Sequence, residues 1–89
     1  IAAFQRELGQ RLGRIRDHTD LIQIGNEAHA LKSAALSFGA EPLGDLARDI
    51  EEHCRAGRSA EVRVGTRQLL LLGQAALRAI SEWIERHRE

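Results

Sequence analysis

Apolar residues recur three and four positions apart along nearly the whole chain, the spacing of helices that bury one face, and no stretch shows the strict alternation of a half-buried strand. Polar and glycine-containing breaks divide the pattern into four segments. The first, Ala2 to Arg16, places Phe4, Leu8, Leu12 and Ile15 on one stripe and stops at the Asp17-His18-Thr19-Asp20 turn. The second begins near Asp20, where Asp20 and Gln23 form a predicted capping pair, and runs to Phe38 before Gly39 supplies a left-handed stop. Its predicted core stripe is Leu21, Ile24, Ala28, Leu31, Ala35 and Phe38.

The third segment starts around Pro42, whose missing amide proton costs nothing in a first turn, and presents Leu43, Leu46, Ala47, Ile50 and Cys54 before ending near Gly57. The fourth opens at Ser59, a predicted N-cap, and carries Val62, Leu69, Leu72, Ala76, Ile80 and Trp83. Leu70, Leu77 and Ile84 broaden that stripe, while Leu71 falls outside it. Short connections turn successive helices back on one another. The expected fold is therefore all-α, an antiparallel up-down-up-down four-helix bundle over residues 1–89.

Composition narrows the function. A chain of 89 residues with 43% apolar content encloses one modest core and leaves no room for a buried substrate pocket. Thirteen basic and 13 acidic residues give a formal charge of zero, so the basic footprint of a nucleic-acid surface is missing. No apolar run is long enough to span a bilayer, and the single cysteine, Cys54, has no intrachain partner. A reducing, cytoplasmic setting is expected. The chain has no methionine and begins inside a helical pattern, which reads as a domain excised from a longer polypeptide.

Chemistry would then have to occur on an outer face, and one position stands out. His29 lies well off the core stripe of the second segment, with Gly25 four residues before it, Lys32 three after and Ser33 four after. Ile22 and Leu36 frame this small-residue notch, and Asn26 borders it. Glycine inside a helix costs roughly 1 kcal/mol relative to alanine, so Gly25 is expected to serve access to the imidazole. A lone helical histidine is more often structural. Here the neighbours change the odds, because a cation and small residues around an exposed ring suit the close approach of a large anionic partner.

The remaining candidates have simpler explanations. His53 and Cys54 are adjacent on a helix and point about 100 degrees apart, with no second ligand pair at finger-like spacing, so no metal site is expected. His53 and His87 lie near helix C-termini, where a cation favours the dipole, and His18 reads as a turn residue.

The run His29-Ala30-Leu31-Lys32-Ser33-Ala34-Ala35-Leu36-Ser37-Phe38-Gly39-Ala40, followed by Leu43, Leu46 and Ile50-Glu51, closely resembles histidine-containing phosphotransfer domains. The resemblance implies a four-helix bundle in which His29 is phosphorylated, Lys32 lies beside it and Gly39 ends the helix. It also implies that His29 exchanges phosphate with response-regulator receiver domains, whose aspartate and bound Mg2+ complete the chemistry. Two positions depart from the common pattern: Ser33 replaces a glycine and Glu51 replaces the glutamine of many relay members. A glutamate there resembles the phosphoacceptor domain of chemotaxis-type histidine kinases, where it hydrogen-bonds the histidine.

A histidine in water titrates near pH ~6.5 and is mostly neutral at pH 7, with one ring nitrogen free as a nucleophile. Nε2 is the expected attacking atom. Glu51, on the rim of its helix, is as compatible with an ordinary surface carboxylate as with one that orients the imidazole, and Lys32 would offset phosphoryl charge. The chain has no phosphate loop, no paired acidic magnesium site and no nucleotide pocket, so no cofactor of its own and no ATP-dependent activity are expected. The expected module is a monomeric phosphocarrier in a multistep relay, the cytoplasmic part of a hybrid, membrane-anchored sensor kinase. The alternatives are the phosphoacceptor domain of a chemotaxis-type kinase and a helical docking or dimerisation module whose histidine is never modified. Ile22, Gly25, Asn26, Ser33 and Leu36 form the expected partner face.

Overall fold

The computed structural model describes residues 1–88, and among them there are four helices and no strand. The helices are α1 (Ala2–Asp17), α2 (Leu21–Phe38), α3 (Glu41–Arg55) and α4 (Ser59–Arg86). Each packs on its neighbour in sequence, and α1 also packs on α4, so the ring of contacts closes. The most extensive contact joins α2 and α3. At 28 residues, α4 is about 42 Å long and accounts for most of the 48 Å length of the molecule.

The apolar stripes meet in one core. Leu8, Leu12 and Ile15 from α1 join Ile24, Ala28, Leu31 and Ala35 from α2. Leu43, Ala47 and Ile50 from α3 and Val62 and Leu69 from α4 complete it. Leu8, Ile15, Leu31, Ile50 and Leu69 are fully enclosed, and together they tie all four helices to the same interior. The side-chain contacts also give the alignment: Phe4 stacks on Phe38, and Gln5 donates to Ser81 Oγ. Arg11 bonds Glu27 at 3.0 Å between α1 and α2.

Boundaries follow local chemistry. The Asp20 carboxylate accepts from Ile22 N–H at 2.9 Å and caps α2, whereas no bond from Gln23 completes a capping box. Gly39 takes φ 91° and closes α2, a conformation that L side chains disfavour. Pro42 sits in the first turn of α3, one residue inside its start. Ser59 is already helical; Arg58 holds the N-cap position without a side-chain bond, so α4 opens less tightly than a serine cap would make it.

Three expected core residues are instead exposed: Phe38 at 45%, Leu72 at 37% and Trp83 at 44%. Phe38 ends α2 at the bundle edge and covers one ring face by stacking on Phe4 at 4.2 Å. Trp83 stacks on His87 along its own helix rather than entering the core. Buried Gly65 and Gly73 take the inner positions of α4, because α1 and α3 approach too closely for side chains there. A Cβ at Gly73 would collide with the Leu12 side chain, and one at Gly65 would lie 2.9 Å from Ile50 Cγ1.

Candidate functional site

His29 projects from the middle of α2 with 61% of its side chain exposed. Its backbone neighbour Ala28 is fully buried, so one residue of α2 fixes the helix to the core while the next faces water. The register of α3 against α2 brings Glu51 beneath the ring. Glu51 lies next to Ile50, a fully buried anchor, and only 12% of its own side chain is exposed. Glu51 Oε2 is 2.7 Å from His29 Nδ1, and Glu51 Oε1 accepts from Lys32 Nζ at 2.8 Å.

This contact determines the tautomer. An ionised carboxylate only accepts hydrogen bonds, so Nδ1 must carry the hydrogen, and in the neutral ring Nε2 keeps its lone pair. The carboxylate itself is held ionised. The Lys32 ammonium hydrogen bond is the largest influence lowering the Glu51 pKa, burial opposes it, and the His29 bond lowers it further. Arg55, one turn along α3, adds a longer contact of 3.4 Å to Oε2. Lys32, Arg55 and His29 therefore surround one acidic side chain.

Lys32 is directed at Glu51, with 24% of its side chain exposed, and reaches the imidazole's surroundings through that carboxylate. Ser33 is exposed, and its hydroxyl donates back to His29 C=O at 3.3 Å, which removes it as a donor to other groups. Ile22 is 73% exposed and Leu36 46%, while Asn26 is also exposed on the same side of α2. Leu36 has a second task, since its methyl lies over Gly44: a Cβ there would come within 2.6 Å of Leu36 Cδ2. Gly25 corrects an expectation. Its Cα faces Cys54, where a Cβ would meet Cys54 Cβ at 3.2 Å, so this glycine lets α2 and α3 come together rather than opening a path to His29.

Depressions flank the His29 ridge. One, about 260 Å³, lies between α2 and α3 and is lined by Ile22, Gly25, Asn26, Glu51 and Arg55, among others. The other is an open trough along α1 and α2 past Phe4, Ala30, Ser33, Ala34 and Phe38. A surface with one exposed imidazole between shallow depressions accepts another protein more readily than a small molecule.

Arg55 is the site residue that the sequence reading passed over. Its signal was present: it stands four residues after Glu51 on one helix, a spacing that makes ion pairs. His53 and His87 make their contacts apart from this cluster. Arg58 donates to His53 Nδ1 at 3.2 Å, His87 Nδ1 donates to Trp83 C=O at 2.8 Å, and burial pushes the Cys54 thiol pKa up, with the Glu51 charge adding to it. Among the described residues no three His, Cys, Asp or Glu side chains gather as a metal site. Among the described residues no helix is long and apolar enough to cross a membrane.

The site is thus an imidazole presented to solvent from a four-helix scaffold, with its inner nitrogen held by a carboxylate. The sequence profile described as Hpt domain matches residues 1–87, and the chain belongs to that family. Membership implies histidine phosphotransfer in two-component signalling, and Hpt domains interact with receiver domains. No curated protein and no solved structure matches the chain.

Proposed function

We propose that this chain is a phosphocarrier of a multistep relay, taking a phosphoryl group onto His29 Nε2 from a receiver-domain aspartate and passing it to a second receiver. The observation that carries this reading is the 2.7 Å contact between Nδ1 and Glu51 beneath a ring that is otherwise open to solvent. Paired contacts such as Phe4 with Phe38 and Gln5 with Ser81 favour the antiparallel up-down-up-down arrangement, with His29 on its lateral face.

In the transfer, the Nε2 lone pair forms the N–P bond as the P–O bond to the aspartate breaks, and the aspartate leaves as a carboxylate. The ring, still protonated at Nδ1, becomes cationic. Glu51 is in place to stabilise that charge, and the same ion pair is given up when the next carboxylate removes the phosphoryl group. Lys32 and Arg55 counter the negative charge brought in by the phosphoryl group while remaining tethered to Glu51. Glu51 is already shared among three partners and makes a poor additional ligand for a hard cation, so the Mg2+ of the reaction belongs to the receiver. Ile22, Asn26, Ser33 and Leu36 form the docking face, with Gly25 holding the helices together beneath it. The setting we assign is the cytoplasm, with the domain acting as a monomer.

The glutamate at position 51 favours a second reading, in which a separate ATP-binding kinase domain supplies the phosphate, as in chemotaxis-type kinases. Incubation with a phosphorylated receiver decides. Acid-labile label moving onto the wild type, and not onto His29→Gln, is the expected result. Equal labelling of both proteins removes His29 as the acceptor, and no labelling of either removes the relay. Ser33→Trp should keep full helicity and lose transfer by about tenfold or more, because a bulky ring would hold the receiver away from Nε2; unchanged transfer would place the docking face elsewhere.

A further inference from the structure

A third recess lies away from His29, at the end of the bundle where α1 finishes and α2 and α4 begin. It is a cleft of about 510 Å³, within the size range of small-molecule sites. Its floor is apolar and belongs to the core: Ile15, Ile24 and Val62 are buried there, and Leu21 and Leu70 are half-buried. Its rim is cationic, formed by Arg63 and Arg67 on α4 and by Arg16 at the end of α1.

These cations differ in their engagement. Arg16 is held by Asp17 at 2.9 Å. Arg63 and Arg67, both exposed and one turn apart, make no ion pair within 4.0 Å among the described residues. The first turn of α4 reaches the same rim through Ser59 and has no side-chain cap, so the positive end of the helix dipole adds to the two guanidiniums. A further observation is independent of charge. Thr66 lines the cleft between the two arginines, and its Oγ1 is closed off from water without a hydrogen-bond partner. Such a hydroxyl is costly to leave unmatched.

We infer that this cleft is a binding site for a small amphiphilic anion, a single carboxylate on an acyl or aryl body. The apolar body would lie against the half-buried Leu21 and Leu70 above the Ile15, Ile24 and Val62 floor, and the carboxylate would meet Arg63 and Arg67, with the Thr66 hydroxyl turning to donate to it. A fully polar anion leaves Leu21 and Leu70 half-exposed to water. A neutral amphiphile leaves the guanidiniums without a partner, so both halves of the ligand are required.

Decanoate, kept well below its micelle-forming concentration, is the test probe, followed on the full chain by amide chemical shifts and titration calorimetry. Saturable shifts confined to residues around Ile15, Ile24, Val62, Thr66 and Leu70 are expected. Arg63→Gln combined with Arg67→Gln changes only exposed side chains, should leave the fold intact by circular dichroism, and should raise the Kd about tenfold or more. Decanol and acetate should each bind at least about tenfold more weakly than decanoate. Shifts spread over the exposed Leu71, Leu72 and Trp83 surface, or a double variant that binds as tightly as the wild type, would overturn the assignment. So would equal binding of decanol, which would reduce the cleft to a nonspecific apolar surface. Phosphotransfer from a receiver to His29 reads the other site separately, so either conclusion can fail alone.

Discussion

At the scale of single residues, the main tension is between Glu51 as an orienting group for His29 and Glu51 as a partly buried partner for Lys32. Removing it should separate those roles. Glu51→Gln retains a side-chain oxygen that can accept from Nδ1, so the ring keeps its orientation, but the cationic phosphoimidazole loses its counter-charge; transfer should slow by about tenfold to a hundredfold. Glu51→Ala removes the acceptor too and leaves the Lys32 ammonium half-buried without its partner, at a cost of about 1–3 kcal/mol in folding stability. Single-turnover transfer from a phosphorylated receiver, measured beside urea denaturation, distinguishes them. Were both variants to transfer at the wild-type rate, Glu51 would be a supporting carboxylate for Lys32 and nothing more. Periodicity placed Glu51 only on the rim of α3, while the family resemblance left a bond to the histidine open; the contact depends on the register between two helices, which the periodicity of either helix alone does not contain.

At the scale of helices, most of the architecture was legible because each segment satisfies its own local rules. The Asp20 cap, the Gly39 stop and Pro42 in a first turn all agree with the apolar period around them. The misplacements have a common physical origin. Phe38, Leu72 and Trp83 fit the stripe by angle, yet burial also depends on whether a neighbouring helix reaches that level, and inside α4 the close approaches were given to Gly65 and Gly73. Periodicity scores a glycine as neutral, so it cannot show two helices meeting there. Gly73→Val tests the point: its side chain would have to displace Leu12, and overpacking at such a contact costs about 1–3 kcal/mol. Gly39→Ala, which has open space around it but a φ of 91°, should cost about 1 kcal/mol through backbone strain alone. Urea midpoints at constant m-value check both. A neutral Gly73→Val would mean that α1 and α4 can separate without loss.

For the whole molecule, the response to acid follows from the same partly buried carboxylate. The Glu51 pKa lies below its ordinary 4.5, chiefly because Lys32 bonds the charged form, with the His29 bond also favouring it against burial. A depressed native pKa means that the unfolded chain takes up this proton first as pH falls. The stability Glu51 contributes is therefore fully present above about pH 4.5 and is lost as pH drops through the lower native value. Glu51→Gln lacks that titration. At pH 7 the wild type should be the more stable by about 1 kcal/mol, and the difference should shrink steadily below pH 4.5 until the two unfold together, since a protonated carboxyl and an amide are nearly isosteric. Urea unfolding of both proteins from pH 7 to pH 3 measures it. A gap that stayed constant across that range would show that the charge on Glu51 does not stabilise the fold, and the carboxylate would then serve the histidine it supports rather than the scaffold.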